Sequence, residues 1–468
     1  MDTQLSHSQG SDAPDQPQEP SDHPSACARK AGRPQKKRPP IPDLTEVLCQ
    51  TRRHFFPEFS AWLNDLPDFR DPDLITYDKK HLVWDVLMMY LTHLESCHQF
   101  FWERQSPTFH DNLIHLAETG EETVAHPDTL KYYLKPLDSE CFNDVLFKMI
   151  RRLIRMKALD DYRLRDYFLV AVDGSGQLFF RERHCPHCLV HTRKDGRKFY
   201  FHNVLMAMLV TANGLALPMA AEFIENPNEE YDKQDCELRA FHRLAAKIKT
   251  AFPRTPLCLL LDAIYAGQPV FDLCRQNSWK YFITFKEGSM PERYAEAQQL
   301  LKLAPANQRT IQYQDKTQYF QWLDDLPYAE HHLKVIVCRE NKNDETTNFV
   351  WLTNFRVDYE GVATLATRGG RLRWKIENEG FNIQKNGGFN MEHAYCEHTN
   401  AAKNYFLLLQ IAHFLFQLMV KGSLFVAFRQ QLGTWKNFAR RLAESFRNRL
   451  LPPVTRLKPV GQIRFSSA

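Results

Sequence analysis

Long, uninterrupted apolar runs are missing from this 468-residue chain. No stretch is long and clean enough to cross a bilayer, so no membrane partner is expected. The beginning of the chain also lacks an apolar signal region. Its first residues are polar and proline-rich, which argues against a secretory signal. A disulfide framework is absent too. The cysteines number eleven, an odd count, and most sit singly inside apolar patterns, as Cys258 does in "LCLLL". That usage reads as reduced thiols in a cytosolic protein. The chain has little charge excess, a formal net of +4. Bulk electrostatics therefore make no case for a nucleic-acid partner. Local clusters such as "RKAGRPQKKRPP", "RRLIRMK" and "RNRLLPPVTRLK" must carry whatever basic surface there is. No internal repeat stands out.

What is present divides the chain by composition and period. The length implies two or three domains. Residues 1–40 are rich in Ser, Gln, Asp and Pro with few large apolar side chains, and are expected to be disordered. From 41 to 165 apolar residues recur at three- and four-residue spacing, as in "HLVWDVLMMYLTHLESCHQFFW", which predicts an all-helical N-terminal domain. The period then changes. "YFLVAVDGSG", "TPLCLLLDAIYAG" and "KYFITFKEG" read as buried strands, with the amphipathic helix "DKQDCELRAFHRLAAKIKTAF" among them. Such alternation predicts an α/β sheet covered on both faces over 166–304. Residues 305–350 alternate and are rich in β-formers, so a β-rich insertion is expected there. The α/β unit resumes over 351–420, and a C-terminal helical region and tail fill 421–468.

Three acids frame the chemistry. Asp173 follows the strand "FLVAV" and Asp262 follows "LCLLL". In open α/β sheets the ligand crevice lies outside the carboxyl ends of the strands. Two carboxylates delivered there can share divalent cations, and Mg²⁺ takes a few carboxylates together with water and phosphate oxygens. Taken singly, either Asp can equally be a turn former or a helix cap. "RLRWKIENEGFNIQK", residues 371–385, supplies a third acid. At about 100° per residue Arg373 and Glu377 share one helix face, while Glu379 points elsewhere. A solvated Arg–Glu pair is the plain alternative.

Asp in "VAVDGS", Asp in "LLLDAIYAG" and then "RWKIE" after a β-rich insertion resemble the DDE transposases of bacterial insertion sequences. More narrowly they resemble the cut-and-paste group with a Tyr-Arg-Glu-Lys signature. Arg373 and Glu377 match the Arg and Glu in place and spacing. The Tyr position falls on Gly370, and the Lys position on Gln384 with Lys385 one step late. The resemblance covers roughly 165 to 415. It implies an RNase H-like core in which Asp173, Asp262 and Glu377 ligate two Mg²⁺ (or Mn²⁺) ions. It also implies cleavage and strand transfer at transposon ends, with double-stranded DNA as partner and a homodimer formed on it in the cytoplasm at the nucleoid. Arg373, Gln384 and Lys385 would then contact DNA, and Trp374 would stack on a displaced base, the core being its alternative place. Two other readings remain open: an RNase H-like nuclease that cuts without joining, and a transposase-derived DNA-binding protein without catalysis.

Weaker signals complete the inventory. Cys185 and Cys188 form half a tetrahedral zinc site that His191 or His202 can complete, or else are two buried thiols. "RKDGRK" reads as a solvated turn or a DNA-backbone contact. Asp235 and Glu237 begin a helix, where acids answer the dipole. Lys286 ends a strand at an edge that can face DNA. "RKAGRPQKKRPP" is similar to an AT-hook and would place Arg33 in an A·T minor groove.

Overall fold

The computed structural model describes residues 40–313, 315–343, 345–451 and 461–466. Arg33 and the basic tail around it lie outside the described residues. From Pro42 onward the chain forms one compact unit.

Among the described residues seven α-helices precede the first strand: α1 (Leu44–Phe55), α2 (Phe59–Asn64), α3 (Lys79–Leu91), α4 (Cys97–Glu103), α5 (Pro107–Ala117), α6 (Pro127–Leu134) and α7 (Glu140–Arg155). Their starts are written locally. Asp43 accepts from the Thr45 N–H, Asp78 from that of Lys80 and Ser96 from that of Gln99. Each cap satisfies a donor that the first helical turn leaves unpaired. Asp85 and Arg104 form a fully buried ion pair within this region.

The strands are β1 (Phe168–Phe180), β2 (Leu189–Thr192), β3 (Lys198–Val210) and β4 (Ala216–Ile224). After α8 (Glu237–Ala251) come β5 (Leu257–Leu261), α9 (Gln268–Asn277), β6 (Lys280–Thr284) and α10 (Pro291–Leu303). β7 (Gln308–Tyr313), β8 (Lys316–Tyr328), β9 (His331–Lys342) and β10 (Glu345–Thr353) follow. Together they make a ten-stranded sheet of order β2-β3-β1-β5-β6-β10-β9-β8-β7, with β4 also on β3. β1, β5 and β6 are parallel, and the remaining pairings are antiparallel. This is a mixed α/β fold. Every residue of β5 is buried, as a parallel strand covered on both faces requires. The β-rich stretch after α10 extends the same sheet, because β10 pairs with β6.

The chain ends in α11 (Val362–Arg368), α12 (Asn382–Asn386), α13 (Thr399–Lys421), α14 (Arg429–Leu432) and α15 (Trp435–Asn448). α13 is buried almost all round. It packs against α1, α3, α6 and α7 and also against β4, so the early helices and the sheet share one core element. Among the described residues no helix is long and apolar enough to cross a membrane.

Candidate acidic active site

Asp173 does not close its strand as the sequence suggests. β1 runs on to Phe180, because Gly174, Ser175 and Gly176 continue the ladder with β3. What ends here is the parallel partner: the last β1–β5 pair is Ala171 with Leu260. Asp173 thus stands on a continuing strand beside the carboxyl end of β5. Asp262 follows β5 at the head of a short 3₁₀ turn, yet its side chain makes no capping bond. It faces Lys286 instead, with Nζ 3.7 Å from Oδ1. Lys286 lies just beyond β6 and is largely exposed.

The third acid arrives on a helix broken into three. Gly370–Trp374 is 3₁₀, Ile376–Phe381 is a π turn in which the Asn382 N–H bonds to the Glu377 carbonyl, and α12 follows. Buried Leu372 and Ile376 dock this segment on β1, β5 and β6. Arg373 donates to Glu377 at 3.1 Å and to Asp173 at 3.4 Å, across 200 residues of sequence. Its guanidinium is almost fully enclosed. Glu379 points away, as its angular position requires, and pairs with Lys375 at 3.3 Å.

The π turn decides where the following residues point. It takes one residue more per turn than an α-helix, a slip of about 100°. Gln384, set on the Glu377 face by α-helical counting, is carried inward. It is fully buried and bonds Gln410 and His413, so the expected DNA contact through Gln384 is corrected. The same slip returns Lys385 to within about 20° of Glu377. Lys385 is half-exposed and pairs with Glu392 at 2.8 Å. Gly370 carries no side chain because a Cβ there would meet the Trp351 indole at 2.5 Å. Trp374 is 47% exposed, so it is not a core residue, and the Arg373 guanidinium lies 4.8 Å from its ring centre.

A fourth acid, set aside as a helix-dipole residue, also reaches the site. Glu237 begins α8, and its carboxylate lies so close to Gly174 that a Cβ would stand 2.7 Å from Oε2. The glycine directly after Asp173 was the available signal. Tyr265 donates to Glu237 at 2.6 Å. Asp235, by contrast, is taken up by Arg243 at 2.7 Å. Burial pushes the Asp173 carboxyl up to about 7; Arg373 pulls it down, while Glu377 and Glu237 push it further up. Burial likewise holds the Tyr265 hydroxyl far above its ordinary range, with Glu237, Asp173 and Asp262 adding to the effect. Asp173 thus has Arg373, Glu377 and Glu237 as charged neighbours.

Asp173, Asp262 and Glu377 do not converge within 4.8 Å of one another; among the described residues that spacing is met by Cys185, Cys188 and His202. Two ions roughly 4 Å apart, as in two-metal sites, can nevertheless span acids that are not all in mutual contact. His191 does not join the Cys/His cluster: it lies exposed on β2 opposite Phe199, on the sheet edge. "RKDGRK" closes the β2–β3 hairpin, with Gly196 at φ +82°. No protein-family model matches the chain, and no curated protein matches it.

Proposed function

We propose that this chain is a DDE-type DNA transposase that cuts transposon-end DNA and joins it to a target. The observation that carries the reading is the Arg373 bridge. It holds Asp173 and Glu377 side by side from segments far apart in the chain, next to the strand end that bears Asp262. The meander β4-β3-β1 running into parallel β5 and β6 is compatible with the RNase H-like core that the resemblance implies. The β-rich segment stands between β6 and the Glu377 segment, as in that pattern.

Asp173, Asp262 and Glu377 would hold two Mg²⁺ or Mn²⁺ ions, which when bound activate the attacking oxygen and stabilise the leaving one. Arg373 orients both carboxylates, its two terminal nitrogens donating to Asp173 and Glu377. Lys286 adds positive charge beside Asp262, and exposed Trp374 offers a face for an unstacked base. Pairing two DNA ends would require at least a homodimer on double-stranded DNA.

The test uses the full chain with duplexes carrying the sequences that flank its gene, in Mg²⁺ or Mn²⁺. Wild type should nick at a fixed position and then yield joined product. Asp173→Ala, Asp262→Ala and Glu377→Ala should each bring cleavage below detection while DNA binding persists. Normal cleavage by Glu377→Ala, with loss in Glu379→Ala, would overturn the assignment. Cutting without joining would instead identify a nuclease.

A further inference from the structure

We infer that Cys185, Cys188 and His202, with His184 as fourth ligand, form a structural zinc site at the root of the β2–β3 hairpin. The inference is independent of the acids. Cys185 Sγ and Cys188 Sγ are 3.7 Å apart, and each lies 3.4 Å from His202 Nε2. A tetrahedral zinc with ordinary Zn–S and Zn–N bonds sets its ligand atoms about 3.8 Å (S to S) and about 3.6 Å (S to N) apart. The observed triangle matches those edges. It leaves one ion's space between the three atoms. Two thiolates and an imidazole favour zinc over hard cations.

The surroundings are built for the same purpose. The segment 185–188 closes as a turn, with the Cys188 N–H on the Cys185 carbonyl at 3.4 Å. Fully buried Asn226 clamps the turn from outside, donating to the Cys188 carbonyl at 2.8 Å. His184 and His187 compete for the fourth position. The His184 ring lies 6.4 Å from that of His202, perpendicular to it, and both line one small cavity. His184 Nε2 bonds the Glu397 carbonyl at 2.7 Å, which leaves Nδ1 without its proton; His184 stands outside the three residues whose ligand atoms lie within 4.8 Å of one another, so its ring must close on the ion when zinc binds. His187 turns instead to Asn226, its Nδ1 2.9 Å from that carbonyl, in a different pocket. A metal here would tie the 181–188 loop to β3 and to the residues just before α13. It would also fix the hairpin's base next to the strand that carries Asp173, since His202 pairs with Leu178 of β1.

The purified full chain, kept reduced, is assayed for metal by mass spectrometry and then exchanged with Co²⁺. One zinc per chain is expected, and the cobalt form should show thiolate-to-metal charge transfer and tetrahedral d–d bands. X-ray absorption on the unmutated zinc protein should count two sulfur and two nitrogen ligands, which keeps the test valid if variants misfold. Cys185→Ser and His202→Ala should lose the metal, and His191→Ala should keep it. His184→Ala should change the cobalt spectrum, whereas His187→Ala should not; the reverse result overturns His184 as ligand. Absence of stoichiometric zinc after Zn²⁺ loading, or a Cys185–Cys188 disulfide in the reduced preparation, overturns the site.

Discussion

At the scale of single residues, Asp173 is the acid whose titration can be read in stability. Its ordinary value of 3.8 is raised to about 7 in the fold, chiefly by burial. The folded state therefore binds the proton more tightly than the unfolded state. The stabilisation this gives is fully present below 3.8 and is lost as pH rises through about 7. The loss is on the order of 4 kcal/mol. Asp173→Asn, which stays neutral, should lose this slope and be the more stable chain at pH 8 without metal. Mg²⁺ needs the ionised carboxylate, so it should raise the melting temperature of wild type more at pH 8 than at pH 5, and that of Asp173→Asn hardly at all. Thermal unfolding across pH with and without Mg²⁺ checks this. Equal Mg²⁺ shifts in both chains would remove Asp173 from the metal site.

At the scale of elements, the helix after β10 shows what could be read in the sequence and what could not. The Arg373–Glu377 pair was legible, because a four-residue spacing puts both on one face whether the turn is α or slightly wound. The π turn was not, since no pattern in "IENEGF" marks it; in the fold Ile376 and Phe381 at its two ends are buried. That one-residue slip exchanged the places of Gln384 and Lys385. The positions of Asp262 and Lys286 were legible from strand ends, but the continuation of β1 past Asp173 was hidden by "GSG", which reads as a turn and in fact pairs with β3. The Cys-x-x-Cys pair was plain from spacing, whereas the choice of His202 over His191 depended on strand register. Lys385→Ala should weaken binding to end DNA by about tenfold, the value of one charge-assisted phosphate contact, with little change in melting temperature. Gln384→Ala should do the opposite, costing about 1–3 kcal/mol by stranding Gln410 and His413 while folded protein binds normally. Competition binding and calorimetry on the pair separate the two; a binding loss in folded Gln384→Ala would contradict the slipped register.

At the scale of the whole molecule, α13 makes the early helices and the sheet depend on one another. His413 sits at its centre, fully buried, with Nδ1 2.9 Å from Gln384 Nε2 and 3.4 Å from Gln417 Nε2. Those amide N–H groups donate to it, so the ring is held neutral. Burial lowers its pKa from 6.5 to about 3, and His93, which stacks on the neighbouring Phe416 ring, is lowered to about 3 for the same reason. For both, the unfolded chain binds the proton first. The stability they contribute is present above 6.5 and is lost as pH falls from there toward 3. This slope opposes that of Asp173, and His202, lowered to about 4, and His54, also lowered, both chiefly by burial, act in the same direction, so wild type should lose stability on acidification below 6.5. Because α13 touches both halves, the loss should appear as one cooperative transition, with helical and near-ultraviolet signals falling together. His413→Gln keeps an acceptor for Gln384 but cannot take a proton, and it should make the acid slope measurably shallower. A transition in which the early helices melt before the sheet, or an unchanged slope in His413→Gln, would show that α13 does not couple the two.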